Sequence, residues 1–335
     1  MAPSVTQQDE ITFAAPVVGP QTKTVNGEIG TTYNESETFG VYAVHTQQAL
    51  STWAMGTTYM GTSNGVGLEC LKNTHENYWA PTTPYYWPKE GYLSFAAYSP
   101  YGVSGTVTYS STGLSVANHT VDSDISKSVD FMYAPRVYNR NSSTEEGDDN
   151  DAVYKYDGVN ILFEHAMSSI VFTVKKADDI DVNTKITLTG ITLTKPYLKA
   201  DFNETVTDGA TYSAVPAWSN WGSNKDDITI YENTAGAELT TTSTEYVKTT
   251  DGTAHDIILI PQTLTDDVKV LLNYTITNPG NHTISQVSET MLNTYTTAWG
   301  MGTRYTYNIT IGLEEVIFDP AVTAWKDNTA SEITF

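Results

Sequence analysis

Cysteine, arginine and long apolar runs are all scarce in this 335-residue sequence, and each shortage closes a route. Cys70 stands alone, so neither an intrachain disulfide framework nor a cysteine-based metal site can form. Arginine occurs only at Arg136, Arg140 and Arg304, and 17 basic residues face 39 acidic ones for a net charge of −22. A field of that sign repels phosphate backbones and anionic lipid, which argues against nucleic acid and membrane surfaces as partners. No stretch approaches the roughly 18 apolar residues of a membrane-spanning helix, so no membrane insertion is expected. The opening MAPSVTQQDEITF has no basic or apolar leader region and no lipid-accepting cysteine. Two readings follow: a protein that is not exported, or one from which a signal has been removed. Helical periodicity is scarce as well. Its best stretch, VYAVHTQQALSTWAMG (residues 41–56), is expected to be a strand running into a short helix.

What is present belongs to strands and turns. Hydrophobic residues make up 39% and charged residues 17%, with Thr, Ser, Asn, Tyr and Gly filling the difference. Short strand-like runs such as YLSFAAYSP, KITLTGITLTK and VKVLLNYTIT recur between Gly, Pro, Asn and Asp punctuation, the pattern of an all-β chain built from sandwiches. The acidic, polar stretch over 140–158 marks the clearest boundary, giving an N-terminal β-sandwich domain over 1–158 and a C-terminal one over 159–335. The word EITF opens the chain at 10–13 and closes it at 332–335. Each copy alternates apolar and polar residues, as in a strand with one buried face. Ile11, Phe13, Ile333 and Phe335 are thereby the residues that would enter a core, their own or a neighbour's.

Motifs that carry chemistry are weak. GTSNG (61–65) fits the Gly-x-Ser-x-Gly pattern of a nucleophile elbow, but its surroundings read as a glycine-rich loop without the strand and helix the elbow needs. The six histidines show no ligand spacing, and His165, inside an apolar strand pair, reads as a hydrogen-bonded core residue. EEGDDND (145–151) lacks the alternating ligands of a calcium loop and reads as a solvated acidic turn. YWAPTTPYYWP (78–88) admits two readings, core or a sugar-stacking platform. The second makes Trp79, Tyr85, Tyr86 and Trp87 candidate glycan contacts. No catalytic residue, metal ligand or cofactor is expected, and the chain is read as a non-enzyme.

Six blocks in order carry a more specific signal. YYWPKEGYLSFAAYSPYG (85–102) resembles the Trp-Pro, then Phe-x-Ala-Tyr-x-Pro block of the Bacteroidales fimbrillin family, and DFMYAPRV (130–137) resembles the strand that follows it. NILFEHAMSSIVFTVKK (160–176) is similar to the family's Phe-x-His strand pair, followed by ITLTGITLTK and the Pro-Gln turn of ILIPQTL (258–264). The finish, AWGMGTRYTYNITIGLEEVIFDPAVTAWKD (298–327), resembles its Gly-x-x-Tyr-x-Tyr strand, in which Tyr305, Tyr307, Ile309 and Ile311 share one face of a half-buried antiparallel strand.

The resemblance implies two tandem transthyretin-like β-sandwich domains and a structural or adhesive subunit, major, accessory or tip, of a surface filament attached to the outer membrane. It also implies partners: other copies or related fimbrial subunits joined through strand pairing, and a host protein or glycan receptor. Family subunits assemble once a trypsin-like protease removes the first strand after an Arg, leaving a groove for a donor strand. Here the sequence departs from the pattern, because no Arg precedes Arg136; Lys23, the first basic residue, is the candidate processing site. A virion appendage protein of a phage with Bacteroidales hosts and a carbohydrate-binding surface module stand as alternatives.

Overall fold

A computed structural model describes residues 10–19, 33, 36–62, 65–74, 78–142, 158–206, 214–246, 257–313 and 316–324. Among these residues regular structure is almost wholly strand, interrupted by single 3-10 turns at Ile125–Lys127 and Leu292–Thr294. The all-β expectation therefore holds. The short helix expected within 41–56 does not form: the strand over its first part ends at Thr46, and the remainder is an ordered loop. Leu50 N donates to Asn139 Oδ1 (2.7 Å) and Trp53 Nε1 to the Ser111 carbonyl (2.8 Å), so tertiary contacts override the helix propensity of Gln47–Leu50.

The chain forms two compact units. The first takes Met1–His119, Asp130–His165 and Asp201–Ser219; the second takes Thr120–Val129, Ala166–Ala200 and Asn220–Phe335.

In the first unit the strands are β1 (Phe13–Ala14), β2 (Val17–Gly19), β3 (Phe39–Thr46), β4 (Thr57–Met60), β5 (Leu68–Lys72) and β6 (Tyr78–Pro81). They continue through β7 (Tyr92–Ser99), β8 (Thr106–Ser110), β9 (Gly113–Thr120), β10 (Met132–Arg140) and β11 (Leu162–His165). The larger sheet runs β1-β6-β5-β3-β7-β10-β11-β2, with β4 also on β3. Its two end strands, β1 and β2, are separated in sequence by only Ala15 and Pro16. A sheet whose first and last strands are joined by two residues must close on itself, and the N-terminal segment is where it closes. Alternation sends Phe39, Val41 and Ala43 of β3 and Leu93, Phe95 and Ala97 of β7 into the enclosed core. The opposite face presents Tyr42, Tyr98 and Tyr133. The smaller sheet packs there, in the order β15-β14-β9-β8, where β14 is Lys199–Thr205 and β15 is Val215–Ser219. Tyr42 stacks on Tyr109 of β8 (5.0 Å, 22°), and Phe202 of β14 meets Tyr133 at 5.2 Å.

The second unit is a two-sheet sandwich. Its remaining strands are β12 (Ser168–Lys176), β13 (Lys185–Leu193), β16 (Ile228–Glu238), β17 (Thr244–Glu245) and β18 (Ile257–Leu259). After them come β19 (Lys269–Thr277), β20 (Thr283–Met291), β21 (Thr303–Ile311) and β22 (Val316–Ala324). One sheet runs β17-β12-β21-β22, with β18 also on β12; the other runs β16-β13-β19-β20. Tyr305, Tyr307, Ile309 and Ile311 are buried as the alternation requires. The pairing of β21 differs from the antiparallel expectation on one side, being antiparallel to β22 but parallel to β12 along all nine residues. Phe172 consequently lies beside Tyr307 and stacks on it (5.4 Å, 20°). The Pro-Gln turn locks this sandwich: buried Gln262 accepts from Tyr197 N (2.7 Å) and donates to the Tyr197 and Ile260 carbonyls. Trp299 N donates to the Gln262 carbonyl (2.9 Å) while its indole donates to Tyr307 (3.0 Å).

Candidate functional site

The segment 10–19 is the part of the first unit whose geometry suggests a function beyond packing. On one margin Phe13 and Ala14 pair antiparallel with Trp79 and Tyr78 of β6, and Ile11 N donates to the Tyr85 carbonyl (2.7 Å). On the other margin Ala14 N donates to the Val159 carbonyl (3.2 Å), Val159 N to the Thr12 carbonyl (2.8 Å) and Val17 N to the Ile161 carbonyl (3.1 Å). From there β2 runs parallel to β11, Val17 to Gly19 opposite Leu162 to Glu164. The segment is thus a stave with hydrogen bonds on both sides.

Its side chains complete the core. Ile11 and Phe13 are fully buried and Val18 nearly so. The Phe13 ring meets Phe39 (5.6 Å, 88°) and Phe95 (5.7 Å, 87°) edge to face. Burial of each such side chain is worth about 1.5–3 kcal/mol. The seam on the Val159 side depends on Gly158, where a Cβ would come within 2.5 Å of the Thr12 carbonyl carbon and oxygen. A parallel partner to Gly158–Phe163 can approach this closely only because position 158 has no side chain.

Of the residues singled out in sequence, Ile11 and Phe13 come together in this stave. Ile333, Phe335 and Lys23 lie outside the described residues, as do Ser63 of the GTSNG motif and the 145–151 acidic run. Trp79 and Trp87 are buried, Tyr85 is half-buried and Tyr86 is exposed. Tyr85 and Tyr86 adjoin the stave, since Glu10 bridges to Tyr86, and Tyr59 of β4 donates its hydroxyl to the Tyr86 carbonyl. His165 is a buried core residue whose Nδ1 shares a 2.6 Å hydrogen bond with Asp130 Oδ2. Among the described residues no group of three or more His, Cys, Asp or Glu is arranged to hold a metal ion.

Several buried polar and titratable residues of the first unit were not legible in the sequence. Arg136 is buried on β10, its guanidinium 4.5 Å from the Trp53 ring and 5.0 Å from the Tyr138 ring, with Nη1 donating to the Ala54 carbonyl (2.9 Å). Glu204 is buried on β14, and desolvation raises its carboxyl to about 7, against the smaller opposing pull of the Leu114 amide. Burial likewise lowers the His119 imidazole to about 4. The Cys70 thiol is buried and pushed well above its ordinary range, which makes it an inert core residue.

Comparison with known proteins places the chain in a family and a fold. The fimbrillin-like family matches residues 22–325, a range that begins after β2. Among solved structures, a candidate cell adhesion protein from Bacteroides uniformis is similar, with a TM-score of 0.52 and 16% identity, over 95% of this chain and 99% of that one. A fimbrial protein from Bacteroides vulgatus is similar with a TM-score of 0.52 and 18% identity, over 95% of this chain and all of that one. At such identities the likeness is one of fold. No curated protein matches the chain in sequence.

Proposed function

The chain belongs to the fimbrillin-like family of fimbrial structural proteins, and from that premise we propose that the stave 10–19 is a removable plug through which subunits join. Cutting after it would open a groove between β6 and the 158–164 strand, lined by Phe39, Phe95 and Trp79, with unpaired backbone groups on both margins. An extended strand from another copy or a related fimbrial subunit would restore those hydrogen bonds and refill the places of Ile11 and Phe13. On this reading the protein is a non-enzymatic subunit of a surface filament held at the outer membrane, with Lys23 in the role that the family gives to Arg.

The observation that supports it most directly is that the segment is hydrogen-bonded along both margins while fully burying Ile11 and Phe13. Brief trypsin treatment of the purified chain, followed by negative-stain electron microscopy, tests it. Filaments are expected after clipping, and none from the Lys23→Gln variant treated in the same way. Particles that stay single after verified loss of the stave would leave segment 10–19 as a closure of its own sheet and nothing more.

A further inference from the structure

One core residue of the first unit touches both margins that the stave joins. The Tyr33 ring stacks on Phe163 of β11 (5.4 Å, 22°) and meets Trp79 of β6 edge to face (6.0 Å, 76°). Phe39 lies edge-on to it (6.2 Å, 83°), and Phe39 is also a ring against which Phe13 packs. The Tyr33 hydroxyl shares a 2.8 Å hydrogen bond with Ser99 Oγ at the end of β7, and the side chain is buried. The ring is therefore fixed at its tip as well as between the side chains of β6 and β11. In sequence Tyr33 follows Lys23, so a cut at Lys23 would sever the stave and leave Tyr33 attached to the rest of the chain.

We propose that Tyr33 is a positioning residue of the groove, a spacer that stays behind when the stave leaves and holds β6 and β11 one strand's width apart for the incoming strand. The inference rests on the plug reading, since only a stave that departs leaves a groove to hold. The two flanks of a missing strand stand two strand spacings apart, about 9–10 Å. With Ile11 and Phe13 gone, Phe39, Phe95 and Trp79 face water, and drawing the margins together is the direct way to bury them again. A groove closed in that way has to reopen before it can take a strand, so the rate of joining falls with the fraction that is open. Tyr33 opposes the closure because its ring already fills the space between Trp79 and Phe163, and the bond to Ser99 keeps that ring from swinging out. Holding the bound shape in advance lowers the cost of binding.

Stopped-flow capture of a dye-labelled peptide of residues 10–19 tests the proposal, using clipped chain from which its own severed fragment has been removed in mild urea. Wild type is expected to take up the peptide. Tyr33→Ala should slow association about tenfold or more while dissociation changes far less, as for a groove that is rarely open. Tyr33→Phe keeps both ring contacts and should keep most of the wild-type association rate. Where the alanine variant does not fold, Tyr33→Leu carries the same expectation, because its side chain cannot bridge Trp79 and Phe163. Association that Tyr33→Ala leaves unchanged overturns the proposal, as does a variant that only dissociates faster, and either result makes Tyr33 a packing residue alone. A clipped wild type that captures no peptide also overturns it, because a groove held at strand width must accept its own stave. Failure of the plug reading has a different appearance: clipped wild type that captures the peptide, with Tyr33→Ala slow, yet forms no filaments in the microscope. That result denies the joining of subunits and leaves the spacer standing.

Discussion

Glu204 occupies a position on β14 where alternation turns Ala200, Phe202 and Val206 inward, so a carboxyl lies where its neighbours in sequence are apolar. It faces Tyr109 from β8, Glu164 from β11, Arg136 from β10 and the Leu114 amide from β9. Its folded-state value, about 7, exceeds the ordinary carboxylate value of 4.5. The fold therefore holds the proton more tightly than the unfolded chain does. The stability linked to this group is complete below pH 4.5 and is lost as pH rises toward 7, a difference on the order of 3 kcal/mol. His119 acts with the opposite sign: lowered from 6.5 to about 4, it contributes stability that disappears as pH falls through that interval. The two slopes oppose one another between pH 4.5 and 6.5. Subtracting the wild-type unfolding free energy from that of Glu204→Gln should give a curve that climbs between pH 4.5 and 7 and is flat above. Urea titrations at half-unit pH steps measure it, and a flat difference throughout would mean that Glu204 is solvated. Glu204 went unread in the sequence, and only the structure shows it as one polar residue in the buried alternation of Ala200, Phe202 and Val206. The burial of Arg136 was not legible either, because the Trp53 ring and the Ala54 carbonyl that hold it come from a loop far away in sequence.

At the scale of elements, local pattern and pairing separate cleanly. The alternations of β12 and β21 could be read directly, since Ile170, Phe172 and Val174, and Tyr305 through Ile311, fall on buried faces. That β12 and β21 lie parallel could not, because a period of two is the same for either direction and the choice depends on the connections between them. The N-terminal EITF showed its buried face in the same way, while the two margins it joins are set by residues some 65 and 145 positions away, near Trp79 and Val159. Gly158 is the element-level hinge of that seam. Replacing it by Ala places a methyl against the Thr12 carbonyl, which must retreat. Gly158→Ala is expected to cost about 1–3 kcal/mol by overpacking and to speed hydrogen exchange at the Ile11, Ala14 and Val17 amides, with β12 and β21 unaffected. Exchange that accelerates evenly over both units, or not at all, would show that Gly158 does not govern the stave.

For the molecule as a whole, charge decides how fast copies can meet. The net charge of −22 was readable from composition, but its consequence depends on where contact is made. The groove that clipping would open is lined by Phe39, Phe95 and Trp79, and the stave that fills it brings only Glu10 as a charge. Joining through such a groove gains little from charge attraction, while each subunit still approaches through the repulsion of the others. The Debye length contracts from about 30 Å at 0.01 M salt to about 8 Å at 0.15 M. Long-range repulsion is thereby removed, while apolar burial and backbone hydrogen bonds in the groove remain. Light scattering from clipped chain should consequently show assembly accelerating about tenfold or more over that range, then levelling off once the approaching surfaces are screened. Assembly slowed by salt would require a complementary positive surface that 17 basic residues dispersed among 39 acidic ones do not suggest, and it would move the junction away from the apolar stave.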